Sequence, residues 1–376
     1  MKIITFYLPQ FHEIPENNEW WGKGFTEWTN MKKAKPLFEG HNQPRIPLNN
    51  NYYNLLDIDV IKWQAEIARD AGIYGFCFYH YWFDGHMLLE KPVELFRDHP
   101  EININYCLSW ANEDWTNAWV SSNSKTLISQ TYGGQDQWEK HFQYFKTFFE
   151  DSRYIQVEGK PLLVLYRPEI IPCLNDMIDY WKKRAKECGF EGLSVAYQHV
   201  NFGLMKEKDD SRFDFQIEYQ PAYARAEDAH SLNSVRKIKN KLDLWMQKRF
   251  HRVLDLSFLK QNEGPTRIDY SEMWERIIHR EPDSEKSIPG AFVDWDNTPR
   301  RGRTGSLMDG VSPDVFKHYL SKQIQHARDD YQKDMIFMFA WNEWAEGGYL
   351  EPDERYKSKY LEAIKEALEA TNEFPY

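Results

Sequence analysis

No stretch of about 18 consecutive apolar residues, the length a bilayer-crossing helix requires, occurs in the 376-residue sequence. A spanning helix is thereby excluded, while peripheral membrane contact stays open. Cysteine is scarce. Cys77, Cys107, Cys173 and Cys188 form no CxxC pair, and Cys77 and Cys107 fall in apolar runs, so they read as reduced core thiols. Basic residues are outnumbered 47 to 58, and the net charge of -11 repels phosphate backbones, which argues against nucleic acid as a partner. No GxGxxG or GxxxxGK(S/T) follows a strand-like run, the 12 His form no HxH or HExxH, and GxSxG does not occur. Nucleotide, metal and serine-nucleophile chemistry thus have no motif to rest on, and no metal or cofactor is expected. The opening Met1–Pro9 is too short an apolar run for a signal peptide, so a cytoplasmic location is expected. Internal repeats and low-complexity tracts are missing as well.

Aromatic residues, by contrast, make up 16% of the chain, with 15 Trp, and many stand beside Asn, Asp, Glu or Gln. A pyranose ring has an apolar C–H face that packs on an aromatic plane and a hydroxyl rim that needs donors and acceptors, so this mixture suits a carbohydrate partner. For any single Trp, packing in a core is the commoner use.

Short apolar or β-branched runs place strands near 3–8, 73–79, 104–110, 161–167, 193–198, 214–219, 290–295 and 335–341. Amphipathic stretches at 57–70, 136–149, 175–188, 312–330 and 356–370 separate most of them. Eight strands alternating with helices predict an α/β fold, a single (β/α)8 TIM barrel over 1–376, with a doubly wound sheet as the alternative. The stretch 221–280 exceeds a simple connection and reads as a helical insertion. Its basic run at 235–252 suits an anionic lipid surface or a lipid-linked substrate or, more commonly, a solvated helix face.

In a barrel, chemistry gathers where strands end. The residues there are Gln10 and His12; Tyr79, His80, Tyr81 and Trp82; Trp110, Asn112, Glu113 and Asp114; Arg167; Tyr197, Gln198 and His199; Glu218 and Tyr219; Asp294, Trp295 and Asp296; and Asn342, Glu343 and Glu346. Glycosidic cleavage needs a proton donor and a second carboxylate acting as base or nucleophile. Glu343 and Glu346 have the spacing to share one face of a turn at the end of the last strand, and two such carboxylates perturb each other's ionisation. A helix-capping use of one of them is the competing reading. Asp294 with Asp296, and Glu113 with Asp114, read as substrate-positioning pairs.

Six segments carry a family resemblance: Tyr7–His12, Trp21–Asn30, Phe78–Phe83, Trp110–Glu113, Gly159–Pro161, and Trp341–Gly347 with Glu351-Pro352. Together they resemble the WbsX-type proteins of bacterial polysaccharide loci, which are often labelled glycosyltransferases and are similar to the barrel of the family 99 endo-α-mannosidases. The resemblance implies a retaining glycoside hydrolase in which Glu343 takes a proton from the sugar 2-hydroxyl to form a 1,2-anhydro sugar, and Glu346 is the acid/base. It further implies a sugar subsite lined by Tyr79, Trp82, Trp110, Asn112, Glu113, Tyr197, Glu218 and Tyr219. Gln10, His12, Tyr81, Trp295 and Asn342 join the expected substrate-binding set by their strand-end positions. A glycosyltransferase or transglycosylase in O-antigen or capsular polysaccharide assembly is the alternative, and a sugar-binding barrel without chemistry is a third. Asp57-Ile58-Asp59 fits a DxD donor motif but stands at an expected helix start, where Asp is a common cap.

Overall fold

The computed structural model describes residues 1–116, 126–200, 205, 208–231 and 264–376, with the backbone alone over 227–231. Its centre is a ring of parallel strands: β1 (Lys2–Tyr7), β2 (Ile73–Phe83), β3 (Asn105–Trp110), β4 (Lys160–Leu165), β5 (Ser194–His199), β6 (Phe215–Glu218), β7 (Ser287–Ile288 with Gly290–Phe292) and β8 (Met335–Phe339). Each strand pairs with the next in parallel, and β1 lies between β2 and β8, with Ile3 opposite Ile73 and Ile336. Helices cover the outside, which is why the staves read as unbroken apolar runs: Leu162 to Leu165 and Met335 to Phe339 are buried throughout.

Closure falls to β7, where the structure departs from the expected strand at 290–295. Nine of the sheet's eleven strands run parallel around the barrel, but two of these nine flank Pro289. Ser287–Ile288 pairs with β6 and Gly290–Phe292 with β8, so together they act as one stave of an eight-membered barrel. Proline has no N–H to give a ladder, and the break lets the strand change partner there. Gly290 sits so close to the Glu218 carbonyl that a methyl group would collide with it.

Predicted helices appear as Ile58–Asp70, Gln135–Phe149, Leu174–Glu187, Pro313–Asp329 and Lys359–Ala370. The Asp57 carboxylate accepts from the Asp59 N–H at 3.0 Å, capping the first of these. Of the stretch 221–280, the described parts are the helix Ala222–Ser231, a strand Thr266–Asp269 and the helix Tyr270–Ile278. The last lies against the barrel, with Trp274 stacked on Phe292 and the Tyr270 hydroxyl donating to the Val293 carbonyl at 2.6 Å. The basic run at 235–252 lies outside the described residues. Among those described, no helix is long and apolar enough to cross a membrane.

Candidate active site

The segment after β8 is held from three sides. Asn342–Glu343 pairs antiparallel with Gly348–Tyr349 across a one-turn Trp344–Glu346 helix, and Gly347, at φ 75°, takes the left-handed conformation that closes the turn. Gly348 lies on the Phe339 ring, where any side chain would clash. The Asn342 amide accepts from the Leu8 N–H at 2.7 Å and donates to the Leu8 carbonyl at 3.0 Å, imitating a strand partner at the end of β1. Trp344 stacks on Tyr349 and donates to Glu351 at 2.6 Å. Glu351 also accepts from Tyr53 and Gln64, and burial pushes its carboxyl up to about 7.

This frame turns Glu343 and Glu346 into one cavity of about 370 Å³ at the C-terminal end of the barrel. Glu343 is 6% exposed, and its Oε2 has no hydrogen bond. Arg300, from the short helix Thr298–Arg301, lies between the carboxylates. It donates to Glu346 at 2.6 Å and to Glu27 at 2.7 Å, and stands 3.7 Å from Glu343. Three acidic groups thus face one guanidinium. Burial, then the charge of Glu346, raises the Glu343 carboxyl well above the usual range. Burial raises Glu346 too, against the opposing pull of Arg300. Both carboxyls therefore hold their protons more tightly than a free carboxylate, with Arg300 opposing that rise for each.

The structure brings Gln10, Tyr79, Tyr81, Glu113, Tyr219 and Trp295 to the same cavity as the two glutamates. Tyr79 and Tyr219 share a hydrogen bond at 3.0 Å, Gln10 donates to Tyr81 at 3.3 Å, and Arg167 bridges Glu113 and Glu169. The remaining expected subsite residues lie elsewhere, because successive side chains on a strand point to opposite faces. Trp82 stacks on His141 at 4.3 Å and accepts, through its carbonyl, from Trp110, so both indoles fill the layer between barrel and helix Gln135–Phe149. Tyr197 bonds Gln216, and Glu218 accepts from Tyr331 at 2.9 Å. His12 is 2% exposed, and burial pushes its imidazole down to about 4. Asn112 bonds the Arg167 backbone through both ends of its amide, and Asn342 serves Leu8.

Asp294 and Asp296 brace the loop after β7 instead of facing the cavity. Asp294 pairs with Arg45 at 2.8 Å. Asp296 is pushed up by burial, but hydrogen bonds from His41, Thr298 and Gln43 hold it below the usual carboxylate range. The cavity also contains residues outside the expected set, among them Tyr166, Trp115, Arg225 and Arg300. A basic residue in the loop after β7, opposite two glutamates after β8, was the readable signal for Arg300.

The family model described as glycosyltransferase WbsX matches residues 3–364. Two relatives from Xanthomonas campestris pv. campestris, each described as uncharacterized protein WxcX, are 34% identical over 368 residues. The match takes in 97% of this chain and 49% of theirs, so the chain spans about half the length of the curated relatives it matches. The GH99 endo-alpha-mannosidase from Bacteroides thetaiotaomicron is similar in fold, with TM-score 0.53 at 13% identity, covering 98% of this chain and 97% of that one. A glycoside hydrolase-like protein has TM-score 0.55 at 13% identity, covering 97% and 93%.

Proposed function

This chain belongs to the WbsX glycosyltransferase family, and from that premise and the geometry of its cleft we propose that it is a glycoside hydrolase-like enzyme acting on a polysaccharide or oligosaccharide. One observation carries the reading: two coupled glutamates, the buried Glu343 and the partly buried Glu346, meet in an aromatic-lined cavity at the C-terminal end of the barrel. In the retaining route, Glu343 accepts the proton of the sugar 2-hydroxyl as O2 attacks the anomeric carbon. Glu346 protonates the departing oxygen, and a 1,2-anhydro sugar forms. Glu346 then takes a proton from water, which attacks the anomeric carbon, while O2 recovers its proton from Glu343. Two inversions retain the configuration.

Arg300, bonded to Glu346 at 2.6 Å and 3.7 Å from Glu343, is placed to offset the charge on either glutamate as the proton moves between the steps. Replacing water by an acceptor sugar in the second step gives a transglycosylase, the reading favoured by the family's glycosyltransferase description.

The test is incubation of the protein with bacterial polysaccharides and α-linked oligosaccharides, alone and with acceptor sugars, with products read by mass spectrometry. Glu346→Gln is expected to lower turnover about 100- to 10,000-fold. Undiminished activity in that variant overturns the assignment. Products lengthened only when an acceptor is present identify the transferase.

A further inference from the structure

The main cavity has a side pocket that the chemistry above does not use. Gln10, Trp115 and Arg300 border both, so the pocket, of about 30 Å³, opens beside the glutamate pair. That volume holds roughly two or three water-sized groups. Its apolar walls are Trp115, Trp21 and Phe25. The last two lie 5.8 Å apart between ring centres, across a turn that Asn18 ties by accepting from the Gly24 N–H at 2.8 Å and the Phe25 N–H at 3.3 Å. Glu27, also in the lining, is committed to Arg300. Gln10 and Asn30 also line the pocket, and its buried polar element is Asn17. It is 1% exposed, lines the pocket, and makes no hydrogen bond through either its amide nitrogen or its oxygen.

A buried amide without partners is costly, and this one offers a donor and an acceptor together. We propose that the pocket built by Asn17, Trp21, Phe25 and Trp115 receives the acetamido arm of an N-acetylated sugar. The arm's N–H and C=O answer the two ends of the Asn17 amide, and its methyl packs against the indoles. Hydroxyl groups alone leave the aromatic walls unfilled. The inference rests on the cleft being a sugar cleft. Because the retaining route needs a free 2-hydroxyl on the reacting sugar, the arm belongs at another carbon of that sugar or on the adjoining residue.

The experiment titrates the full chain with methyl glycosides of hexoses bearing an acetamido group at C2, C3, C4 or C6, beside the parent hexosides, by calorimetry and ligand-observed NMR. At least one acetamido compound is expected to bind about tenfold more tightly than its parent, and the preference is expected to vanish in Asn17→Leu. Asn17→Leu keeps the side-chain volume and removes unpaired polar atoms, so thermal melting is expected to show no loss of stability; Asn17→Asp, which keeps the acceptor and loses the donor, is the second variant and is expected to weaken the preference. Equal binding of both series, binding of neither, or a preference that survives Asn17→Leu overturns the proposal. Hydrolysis and its loss in Glu346→Gln are read separately, so either idea can fail alone.

Discussion

Arg300 is the residue on which the electrostatics of the cleft turn. Its guanidinium offsets Glu27, Glu343 and Glu346 at once, and an opposite charge at such distances lowers a carboxyl pKa by about one to three units. Without it, both glutamate carboxyls titrate at higher pH. The acid limb of a pH–rate profile, which reports the base, and the alkaline limb, which reports the acid, both move up. Arg300→Gln is therefore expected to shift the whole bell alkaline by about one unit or more while lowering its height. A profile that keeps its position separates Arg300 from the ionisation of the pair.

Among the elements, the turn after β8 depends on a side chain standing in for backbone. Asn342 satisfies both polar groups of Leu8 where β1 runs out of ladder partners. Asn342→Ala leaves a buried N–H and carbonyl unpaired and is expected to cost about 1–3 kcal/mol in urea unfolding, with turnover falling further as Glu343 loses its neighbour. Stability within a few tenths of wild type, a margin of about 0.5 kcal/mol, shows that the turn holds without this link. The same strand ends explain which side chains reach the cavity. Tyr79 and Tyr81 face inward while His80 and Trp82 face the helix layer, and Tyr219 faces inward while Glu218 faces Tyr331. A run of polar and aromatic residues marks the end of a strand, but alternation divides it between site and core.

Over the whole molecule, two kinds of buried titratable group act oppositely on stability. His12 and His80 are pushed down to about 4 and about 3 by burial, so between those values and the unfolded value of about 6.5 the unfolded chain binds more protons and stability rises with pH. Glu351, pushed up to about 7, binds its proton in the folded state above the unfolded value of about 4.3, so its contribution falls as pH rises through that window. Melting temperature is expected to climb more steeply between about pH 5 and pH 7 in Glu351→Gln than in the wild type, and parallel curves refute the account. The eight staves and most outer helices were legible in the sequence because apolar runs and helical periodicity are local consequences of burial on both faces. The placing of Glu343 and Glu346 together at the end of the last strand was legible too, because they follow the last apolar run directly. The partner switch of β7 at Pro289, the assignment of Trp82, Trp110, Tyr197 and Glu218 to packing, the clamp joining Glu27 to Arg300 across 273 residues, and the unpartnered Asn17 amide were decided by tertiary structure. Each depends on which groups meet across the closed barrel, and that distance in sequence leaves no periodic trace.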